Sequence, residues 1–579
     1  MFKLAKKNLQ WWAVILAVAF LIVQVSADLY LPTVTSDIIN KGVAQQDIPY
    51  IWHTGAKMLL VAFIGVTGAA VNVYFASTQS QKLGKKLRFQ LFDKITNLSN
   101  REFDSMGNAT MITRTTNDVT QIQNVMQTML RMMIMSPIML VGAGIMAYTK
   151  DHTLTIVFAV ALPILAIAVI GIMYFAVPLF KSLQKKTDRI NLVFQEGLTG
   201  VRVIRAFNQD AYEQNRFDGA NADMMKTARR VFIITSFMFP IMTFVLSAVN
   251  IAIVWYGAHL IGAQSMEVGN LVAFMTYATQ ILMSFMQLSM VFVFIPRAQA
   301  SAVRINEVLA LENSVVDPTE PKDKLIVDAP TKLQFDHVDF RYAGAEQLAL
   351  QDINFTATAG QTVAIIGGTG SGKSTLVNLI PRLYDIEKGE IKLNGQDIRE
   401  LTQKDLHNDI SITQQKAVLF TGTVRSNLQY GKPDATDDEM WHALELAQAG
   451  EFIREQGGLD LRVEQNGDNF SGGQRQRLAI ARTLIKPAPV YIFDDSFSAL
   501  DFKTDANLRA NLKQDAAMQQ AITVLVAQRI STVADADIIM VLEEGRVVGQ
   551  GTHKELAANN ATYQEIIDTQ IKKGSDLDA

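Results

Sequence analysis

The chain of 579 residues is too long for one ordinary domain and has room for two to four. Hydrophobic residues make up 49% of it and charged residues only 19%, and the mean hydropathy is positive, which is more typical of membrane proteins than of soluble ones. The sequence has no cysteine, which excludes disulfides, thiol nucleophiles and cysteine-ligated metals, and its net charge of −3 indicates no particular partner.

The apolar residues are concentrated in the first half of the chain, which we interpret as a transmembrane domain over 1–310. Each of its long uncharged stretches reaches the roughly 17 to 25 residues that a helix needs to cross a bilayer. The sequence therefore predicts six transmembrane helices, at about 8–32, 51–81, 128–150, 153–181, 231–262 and 268–297.

Two long loops of this domain carry most of its positive charge. The loop 82–131 has eight Lys and Arg and the loop 181–230 has ten, whereas the short connections 150–152 and 262–268 have one and none. The positive-inside rule then places both long loops and both termini in the cytosol. Apolar residues recur in these loops at helical spacing, so we expect the loops to pack against another cytosolic domain.

The composition changes at about residue 311. A polar, proline-bearing stretch at 311–330 is typical of a linker, and 331–570 alternates strand patterns such as QTVAIIG and ITVLVAQ with helical ones, which predicts an α/β domain. One predicted helix, in TDDEMWHALELAQ, opens with a capping box from Thr436 to Glu439. Residues 571–579 form a polar tail.

The motif GGTGSGKST at 367–375 has the spacing of a phosphate-binding loop and lies between a predicted strand and a predicted helix. Its glycines let backbone N–H groups surround phosphate oxygens, its lysine supplies positive charge and its serine a magnesium ligand. The sequence predicts that this loop binds ATP through Gly367, Gly368, Thr369, Gly370, Ser371, Gly372, Lys373, Ser374 and Thr375.

The stretch VYIFDD at 490–495 reads as a hydrophobic strand that ends in two carboxylates. With a phosphate-binding loop upstream in the same domain, we expect the first of them, Asp494, to bind Mg²⁺. The alternative, a solvated pair of carboxylates at a strand end, is the weaker interpretation.

The segment NFSGGQRQRLAIAR at 469–482 resembles the signature of ATP-binding cassette (ABC) proteins, and the whole chain resembles a half-size exporter of that family. The resemblance implies a six-helix exporter-type transmembrane α domain, with coupling helices at about 108–118 and 206–217, followed by an α/β P-loop nucleotide-binding domain. It also implies a multi-pass protein of the bacterial plasma membrane.

The same resemblance implies roles for further residues. Tyr342 would stack on adenine, and Gln415 would join Ser374 and Asp494 as a magnesium ligand. The intact signature would contact the γ-phosphate of an ATP held by the opposite subunit, and the intact D-loop would follow the two carboxylates. The signature residues are Ser471, Gly472, Gly473 and Gln474, and the D-loop residues are Ser498, Ala499, Leu500 and Asp501.

Two positions depart from the family pattern. Asp495 stands where the general base is usually Glu, and Gln528 stands where the switch residue is usually His. Both changes affect water activation, so ATP binding should survive while hydrolysis is slow. This pattern resembles the degenerate-site subunit of bacterial heterodimeric multidrug exporters, and it predicts a second, homologous half-transporter as partner.

We therefore expect ATP-driven export of amphipathic small molecules, either drugs or lipid-like molecules, and no nucleic acid as partner. The sequence leaves three alternatives open: a homodimeric flippase with slow ATPase activity, an importer built on the exporter scaffold, and an ATP-sensing gate that transports nothing. Polar residues inside the predicted helices either line a substrate cavity or join helices by hydrogen bonds; they are Gln24, Asn72, Asn250, Gln280 and Gln287.

Overall fold

The structure is a computed structural model that describes residues 2–322 and 330–575. Residues 323–329 of the predicted linker and 576–579 of the predicted tail lie outside the described residues. The chain divides into two compact units. A helical unit contains Met1–Thr96 and Ala109–Ala310, and an α/β unit contains Asn97–Asn108 and Leu311–Ala579.

Six helical stretches among the described residues are long and apolar enough to cross a membrane, which confirms the predicted number. Their helices carry three π-helical turns, at Ile38–Val43, Arg114–Asp118 and Met129–Met133. The first twelve α-helices are α1 Phe2–Asn8, α2 Trp11–Asp37, α3 Ile48–Thr96, α4 Asn100–Met106, α5 Asn108–Thr113, α6 Val119–Thr128, α7 Ile134–Lys150, α8 Ile156–Thr199, α9 Val201–Ala206, α10 Asp210–Ser236, α11 Met238–Gly262 and α12 Val268–Leu309.

The helices extend beyond the predicted bounds. The third membrane stretch is helical from Asn108 to Lys150 and not only over 128–150, α8 ends at Thr199 and not at 181, and α12 ends at Leu309 and not at 297. Hydropathy detects only the apolar part that a bilayer requires, whereas backbone hydrogen bonds continue through polar residues that favour helix. The loops between the spans are therefore largely helical.

Helices α2 and α3 approach each other closely at two glycines. A Cβ atom added to Gly68 would lie 3.0 Å from the carbonyl oxygen of Phe20, and one added to Gly65 would lie 3.1 Å from the Cβ of Ala27. Small residues at such a crossing allow close van der Waals packing between membrane helices. The two glycines thus fix the distance between the first two spans.

An ion pair between a buried carboxylate, Asp118, and a more exposed guanidinium, Arg304, joins the third stretch to α12. Ser301 Oγ donates a hydrogen bond to Asp118 Oδ1 at 2.8 Å, and Arg304 Nε donates to Asp118 Oδ2 at 2.8 Å, with a second bond from Arg304 Nη2 to Oδ1. Arg114 Nη1 donates to the carbonyl oxygen of Arg304 at 2.9 Å, and Arg114 Nη2 pairs with Glu307 Oε2 at 3.0 Å. Removing one member of such a pair would leave a buried charge without compensation.

The α/β unit is built on a six-stranded sheet with the order β12-β11-β3-β10-β9-β6, in which β12 is antiparallel and the others are parallel. An antiparallel sheet, β2-β1-β4-β5, and a two-stranded β7-β8 pair accompany it. The strands are β1 Lys332–Phe340, β2 Leu350–Thr358, β3 Thr362–Gly367, β4 Lys388–Leu393, β5 Gln396–Asp397, β6 Ile410–Thr413, β7 Gly422–Thr423, β8 Arg462–Val463, β9 Val490–Asp494, β10 Ile522–Val526, β11 Ile538–Glu543 and β12 Arg546–Gly551.

The helices of this unit cover the sheets, and the predicted α/β class is confirmed. The capping box at Thr436 is present as predicted, with Thr436 N donating to Glu439 Oε2 at 2.9 Å. The helices are α13 Lys373–Leu379, α14 Gln403–Asn408, α15 Val424–Leu428, α16 Asp437–Leu446, α17 Gly450–Gln456, α18 Gly472–Leu484, α19 Phe502–Gln514, α20 Ile530–Val533, α21 His553–Asn559 and α22 Ala561–Ser575.

The central strands are buried on both faces, which explains why they read as continuous apolar runs. Along β9, Tyr491 and Phe493 enter one hydrophobic core while Val490 and Ile492 enter the other. Because β3, β9 and β10 are parallel, their carboxyl ends lie at one edge of the sheet. The phosphate-binding loop, the two carboxylates and Gln528 follow these ends.

The predicted coupling helix at 108–118 directly follows a segment, 97–108, that groups with the α/β unit. Helix α4 belongs to the α/β unit, where Tyr384 Oη donates to Asp104 Oδ2 at 3.2 Å and Ser314 Oγ donates to Glu102 Oε2 at 3.0 Å. Residues 109–118 instead begin the third membrane stretch, and Met111 is buried in the helical unit. The coupling role of 108–118, which the family resemblance implies, stays a prediction.

The second predicted coupling helix, 206–217, spans the end of α9, a turn and the start of α10. The turn contains Asn208 with a φ of +57°. Phe207 and Tyr212 are 72% and 64% exposed. Docking of this segment stays a prediction.

The chain continues helical through Ser575, so the first five residues of the predicted polar tail extend α22.

Candidate nucleotide site

The loop between β3 and α13 has the backbone that a phosphate-binding loop requires. Gly370 and Gly372 have φ angles of +83° and +101°, a region that residues with a side chain rarely adopt. A Cβ added to Gly367 would come within 2.1 Å of the carbonyl oxygen of Leu542. Glycine is therefore needed for conformation at two positions and for space at a third.

Lys373, the first residue of α13, is buried and turns back onto this loop. Its Nζ donates to the carbonyl oxygens of Gly367 at 2.9 Å and Gly368 at 2.7 Å. Burial lowers the pKa of Lys373, while the neighbouring Asp495 and Asp494 act in the opposite direction. The ammonium group thus lies at the centre of the loop, where phosphate oxygens would surround it.

Asp494, at the end of β9, meets the residue that follows Lys373. Ser374 Oγ donates to Asp494 Oδ1 at 2.9 Å, and Asp494 is 5% exposed. Burial raises the pKa of Asp494, and the bond from Ser374 opposes that shift. A hydroxyl and a carboxylate oxygen are thus brought together beside the loop.

Asp495 is buried and has a left-handed backbone, with a φ of +46°. Its Oδ2 accepts a hydrogen bond from Gln528 Nε2 at 2.8 Å and a longer one from Gln415 Nε2 at 3.5 Å. Its Oδ1 is buried and has no hydrogen-bond partner among the described residues. Burial raises the pKa of Asp495, and the bonds from Gln528 and Gln415 oppose that shift. The two residues that depart from the family pattern therefore contact each other directly.

A cleft of about 1290 Å³ contains most of the predicted nucleotide-binding residues. Tyr342 lies at its wall, 39% exposed, and shares a hydrogen bond of 3.0 Å with Thr375 Oγ1. The other predicted site residues in its lining are Thr369, Gly370, Gly372, Lys373, Ser374, Gln415, Asp495 and Gln528. One cleft thus brings together an aromatic ring, the phosphate-binding loop and both departing residues.

The predicted signature does not line this cleft. Ser471 caps α18, where it forms a capping box with Gln474: Ser471 N donates to Gln474 Oε1 at 2.9 Å. Ser471 and Gly472 are exposed, and a Cβ added to Gly472 would meet no atom within 4 Å. The signature therefore presents an accessible helix start away from this chain's own cleft.

The D-loop is connected to the cleft from two directions. Ser498 Oγ donates to the carbonyl oxygen of Asp495 at 2.9 Å. Arg529 donates from Nη2 to the Ser498 carbonyl oxygen at 3.3 Å and from Nη1 to the Leu500 carbonyl oxygen at 3.2 Å. Asp501 caps α19 by accepting from Thr504 N at 2.9 Å. Sequence reasoning missed Arg529, whose only signal is its position directly after Gln528.

The comparisons with known proteins agree with this geometry. Residues 14–285 match the ABC transporter transmembrane region and residues 350–498 match the ABC transporter domain. An uncharacterized ABC transporter ATP-binding protein of Mycobacterium tuberculosis is 42% identical over 553 residues, which cover 95% of this chain and 94% of that protein. This chain belongs to the ABC transporter family.

Two further similarities concern function and fold. An ATP-dependent lipid A-core flippase of Pseudomonas fluorescens is 33% identical over 523 residues, with 90% of this chain and 86% of the flippase covered. A solved structure, of a bacterial Atm1-family ABC exporter with ATP bound, superposes with a TM-score of 0.79 at 25% sequence identity. The match covers 96% of this chain and 98% of the exporter chain. The ABC transporter has the exporter fold, and its α/β unit is an ATP-binding, ATP-hydrolysing domain.

Proposed function

We propose that this ABC transporter exports amphipathic small molecules, drugs or lipid-like molecules, as one half of a heterodimer in the bacterial plasma membrane. In this proposal the chain holds ATP in a slowly hydrolysing site and lends its signature to the ATP site of a homologous partner. The lipid A-core flippases among its relatives favour a lipid-like substrate. Both termini and the nucleotide domain face the cytosol.

The observation that carries the proposal is the hydrogen bond from Gln528 to Asp495, together with the unpaired Oδ1 of Asp495. A base that activates water needs a free carboxylate oxygen within reach of the γ-phosphate, and Asp is one methylene shorter than the usual Glu. Here one oxygen of the shorter carboxylate also accepts a hydrogen bond from an amide, which cannot take up or release a proton as a histidine can. Binding residues are intact and the water-activating pair is altered, which fits slow hydrolysis.

The residues at the strand end also fit Mg²⁺. Ser374 Oγ and Asp494 Oδ1 are hard oxygen donors 2.9 Å apart, and Mg²⁺ is usually bound by one or two such ligands together with substrate phosphates and water. Gln415 would complete the set. Among the described residues, no group of three or more His, Cys, Asp or Glu could hold a metal ion. Bound there, Mg²⁺ would neutralise charge on the phosphates.

We expect chelation of Mg²⁺ to stop ATP hydrolysis and to leave nucleotide binding partly intact, because Lys373 and the loop amides contact the phosphates directly. Steady-state ATPase activity should fall to background in EDTA and return when free Mg²⁺ is restored. With the partner's general base changed from Glu to Gln so that only this site hydrolyses ATP, Asp494→Asn should raise the Mg²⁺ concentration needed for half-maximal activity by about tenfold, since one charged ligand is lost. Activity that persists in EDTA would contradict the magnesium assignment.

Polar side chains in the membrane helices join neighbouring helices by hydrogen bonds, and some also have buried oxygens without a partner among the described residues. Asn72 Nδ2 donates to the carbonyl oxygen of Ala17 at 2.8 Å, and Ser136 Oγ donates to Gln287 Oε1 at 3.3 Å, so these residues join helices. Gln280 Nε2 likewise donates to the carbonyl oxygen of Asp28 at 3.1 Å, but Gln280 Oε1 and Asn250 Oδ1 are buried and have no partner among the described residues. Unpaired buried oxygens are costly in hydrocarbon, which favours Asn250 and Gln280 as contacts for a substrate's polar group.

Transport is tested in inside-out membrane vesicles that contain this chain and its second half-transporter. We expect ATP to drive accumulation of ethidium or of a short-chain fluorescent phospholipid, and a non-hydrolysable ATP analogue to drive none. Accumulation identifies export, because the cytosolic face of these vesicles is outside. Failure with both probes would rule out the export proposal in favour of an importer or an ATP-sensing gate. Full activity of the chain without a second half-transporter would favour the homodimeric flippase.

A further inference from the structure

The C-terminal helix contacts the switch segment through one side chain. Gln570, in the last two turns of α22, donates from Nε2 to the carbonyl oxygen of Gln528 at 2.7 Å, and its Oε1 accepts from the backbone N of Ile530 at 2.9 Å. A glutamine amide can make both bonds at once because its donor and acceptor lie side by side. The contact involves only backbone atoms of the switch segment, so it does not depend on which side chain stands at position 528.

The backbone needs this support because β10 has already ended. The strand covers Ile522–Val526, and Ala527 N still donates to the carbonyl oxygen of Ile365 at 3.2 Å. Beyond that bond, the segment turns into the short helix α20, which begins at Ile530. The amide of Gln570 thus supplies hydrogen bonds to the backbone of residues 528 and 530, which lie beyond the end of the strand.

The side chain of Gln528 extends from this held backbone to the catalytic position. Gln528 Nε2 reaches Asp495 Oδ2 at 2.8 Å while its carbonyl oxygen accepts from Gln570. A displacement of about 1 Å at such a position can cost on the order of a hundredfold in rate. Only the side chain of Gln528 therefore separates the contact with Gln570 from the carboxylate of Asp495, whose position affects the rate of hydrolysis.

Helix α22 does not depend on Gln570 for its own position. Tyr563 is fully buried and its hydroxyl bonds His553 Nδ1 at 2.8 Å, and Ile566 and Ile567 pack against the core of the α/β unit. The helix is anchored one to two turns before Gln570, so the side chain of Gln570 can be changed while the helix stays docked.

We infer that Gln570 is a positioning residue of the ATP site: the C-terminal helix uses it to hold the switch backbone so that the side chain at 528 reaches the general base. The inference rests on the proposed function, in which residues 495 and 528 set the rate of hydrolysis. It makes that rate responsive to any displacement of the C-terminal helix.

The first test is hydrogen exchange in the native, full-length transporter. Gln570→Ala should speed exchange of the Ile530 amide by about tenfold, because a hydrogen bond that protects it is lost. Gln570→Glu keeps an acceptor for that amide and should preserve its protection, while losing the donor to Gln528. Gln564→Ala is the matched control, since Gln564 is an exposed residue of the same helix that bonds Ala557. Unchanged exchange at Ile530 in Gln570→Ala would overturn the inference.

The second test distinguishes a positioning role from a general structural role by measuring the effect of Gln570→Ala in two mutant backgrounds. In both, the partner's general base is changed from Glu to Gln, so that only this chain's site hydrolyses ATP. In the background Asp495→Glu with Gln528→His, Gln570→Ala should lower kcat about tenfold and leave KM for ATP within about twofold. In the background Gln528→Ala it should change kcat less than about twofold, since no switch side chain remains to be positioned. An equal fall in both backgrounds would mean a structural role and would also overturn the inference.

The inference about Gln570 and the proposed function can be refuted separately. If Asp495→Glu with Gln528→His hydrolyses ATP no faster than the native site, the slow-site proposal fails. The exchange result, which is read in the native chain, then decides the inference about Gln570 alone.

Discussion

Asp495→Glu together with Gln528→His should accelerate ATP hydrolysis at this chain's site by about ten- to a hundredfold. The longer side chain moves the carboxylate by about the 1 Å that separates competent from poor geometry, and the imidazole can carry a proton that the amide cannot. The rate should be measured in single-turnover experiments on the assembled transporter, with the partner's general base changed from Glu to Gln so that its site is silent.

The rate gains of the two single substitutions, multiplied together, should be smaller than the rate gain of the double substitution. In the structure Gln528 donates to Asp495 Oδ2 at 2.8 Å, so each residue is adapted to the other, and contacting residues are not additive. Asp495→Asn is the matched control because it keeps the size of the side chain and removes its charge; it should be slower than the native site. A double variant no faster than the native chain would mean that geometry at these two positions is not what limits hydrolysis.

Lys373→Ala should weaken ATP binding to this chain by about ten- to a hundredfold. A charge-assisted hydrogen bond from an ammonium group contributes about 1.5–3 kcal/mol, which corresponds to this range of affinity. Binding is measured by photoaffinity labelling of the full-length chain with an azido-ATP over a concentration series. Lys404→Ala, a change of an exposed lysine in the same domain, is the control and should label like the native chain.

The same substitution also has a structural effect that can be separated from binding. Lys373 Nζ bonds the carbonyl oxygens of Gly367 and Gly368, so its removal leaves both without that donor. The loop should lose about 1–3 kcal/mol, and the apparent melting temperature should fall even when no nucleotide is present. Equal ATP labelling of Lys373→Ala and Lys404→Ala would refute the assignment of this loop as the nucleotide site.

The sequence predicted the elements that carry strong local patterns. Six apolar runs of membrane-spanning length gave the number of spans, and the glycine spacing at 367–372 located the loop between β3 and α13, because both patterns are dictated by local chemistry. Helix ends were predicted poorly, since α8 continues through polar residues to Thr199 without any change in backbone hydrogen bonding.

The features that the sequence did not predict are long-range polar contacts. Helix α4 packs through Glu102 and Asp104, and a pair of acids in a polar segment is typical of any solvated loop. Gln570 is separated from Gln528 by 42 residues, and a single glutamine in a polar helix carries no periodic signal. The contact of Gln528 with Asp495 was also invisible, although both residues were identified individually. Tertiary packing alone brings these groups together.

The ion pair of Asp118 with Arg304 has a consequence for how the protein is made. Asp118 precedes its partners Ser301 and Arg304 by more than half of the helical unit, so three further helical stretches are synthesised before its carboxylate can meet them. Until the end of α12 emerges from the ribosome, the third stretch carries a carboxylate that is buried in the finished protein and has not yet met its counter-charge. A chain truncated before Ser301 would therefore lack both partners of this carboxylate, whatever the state of its first five spans.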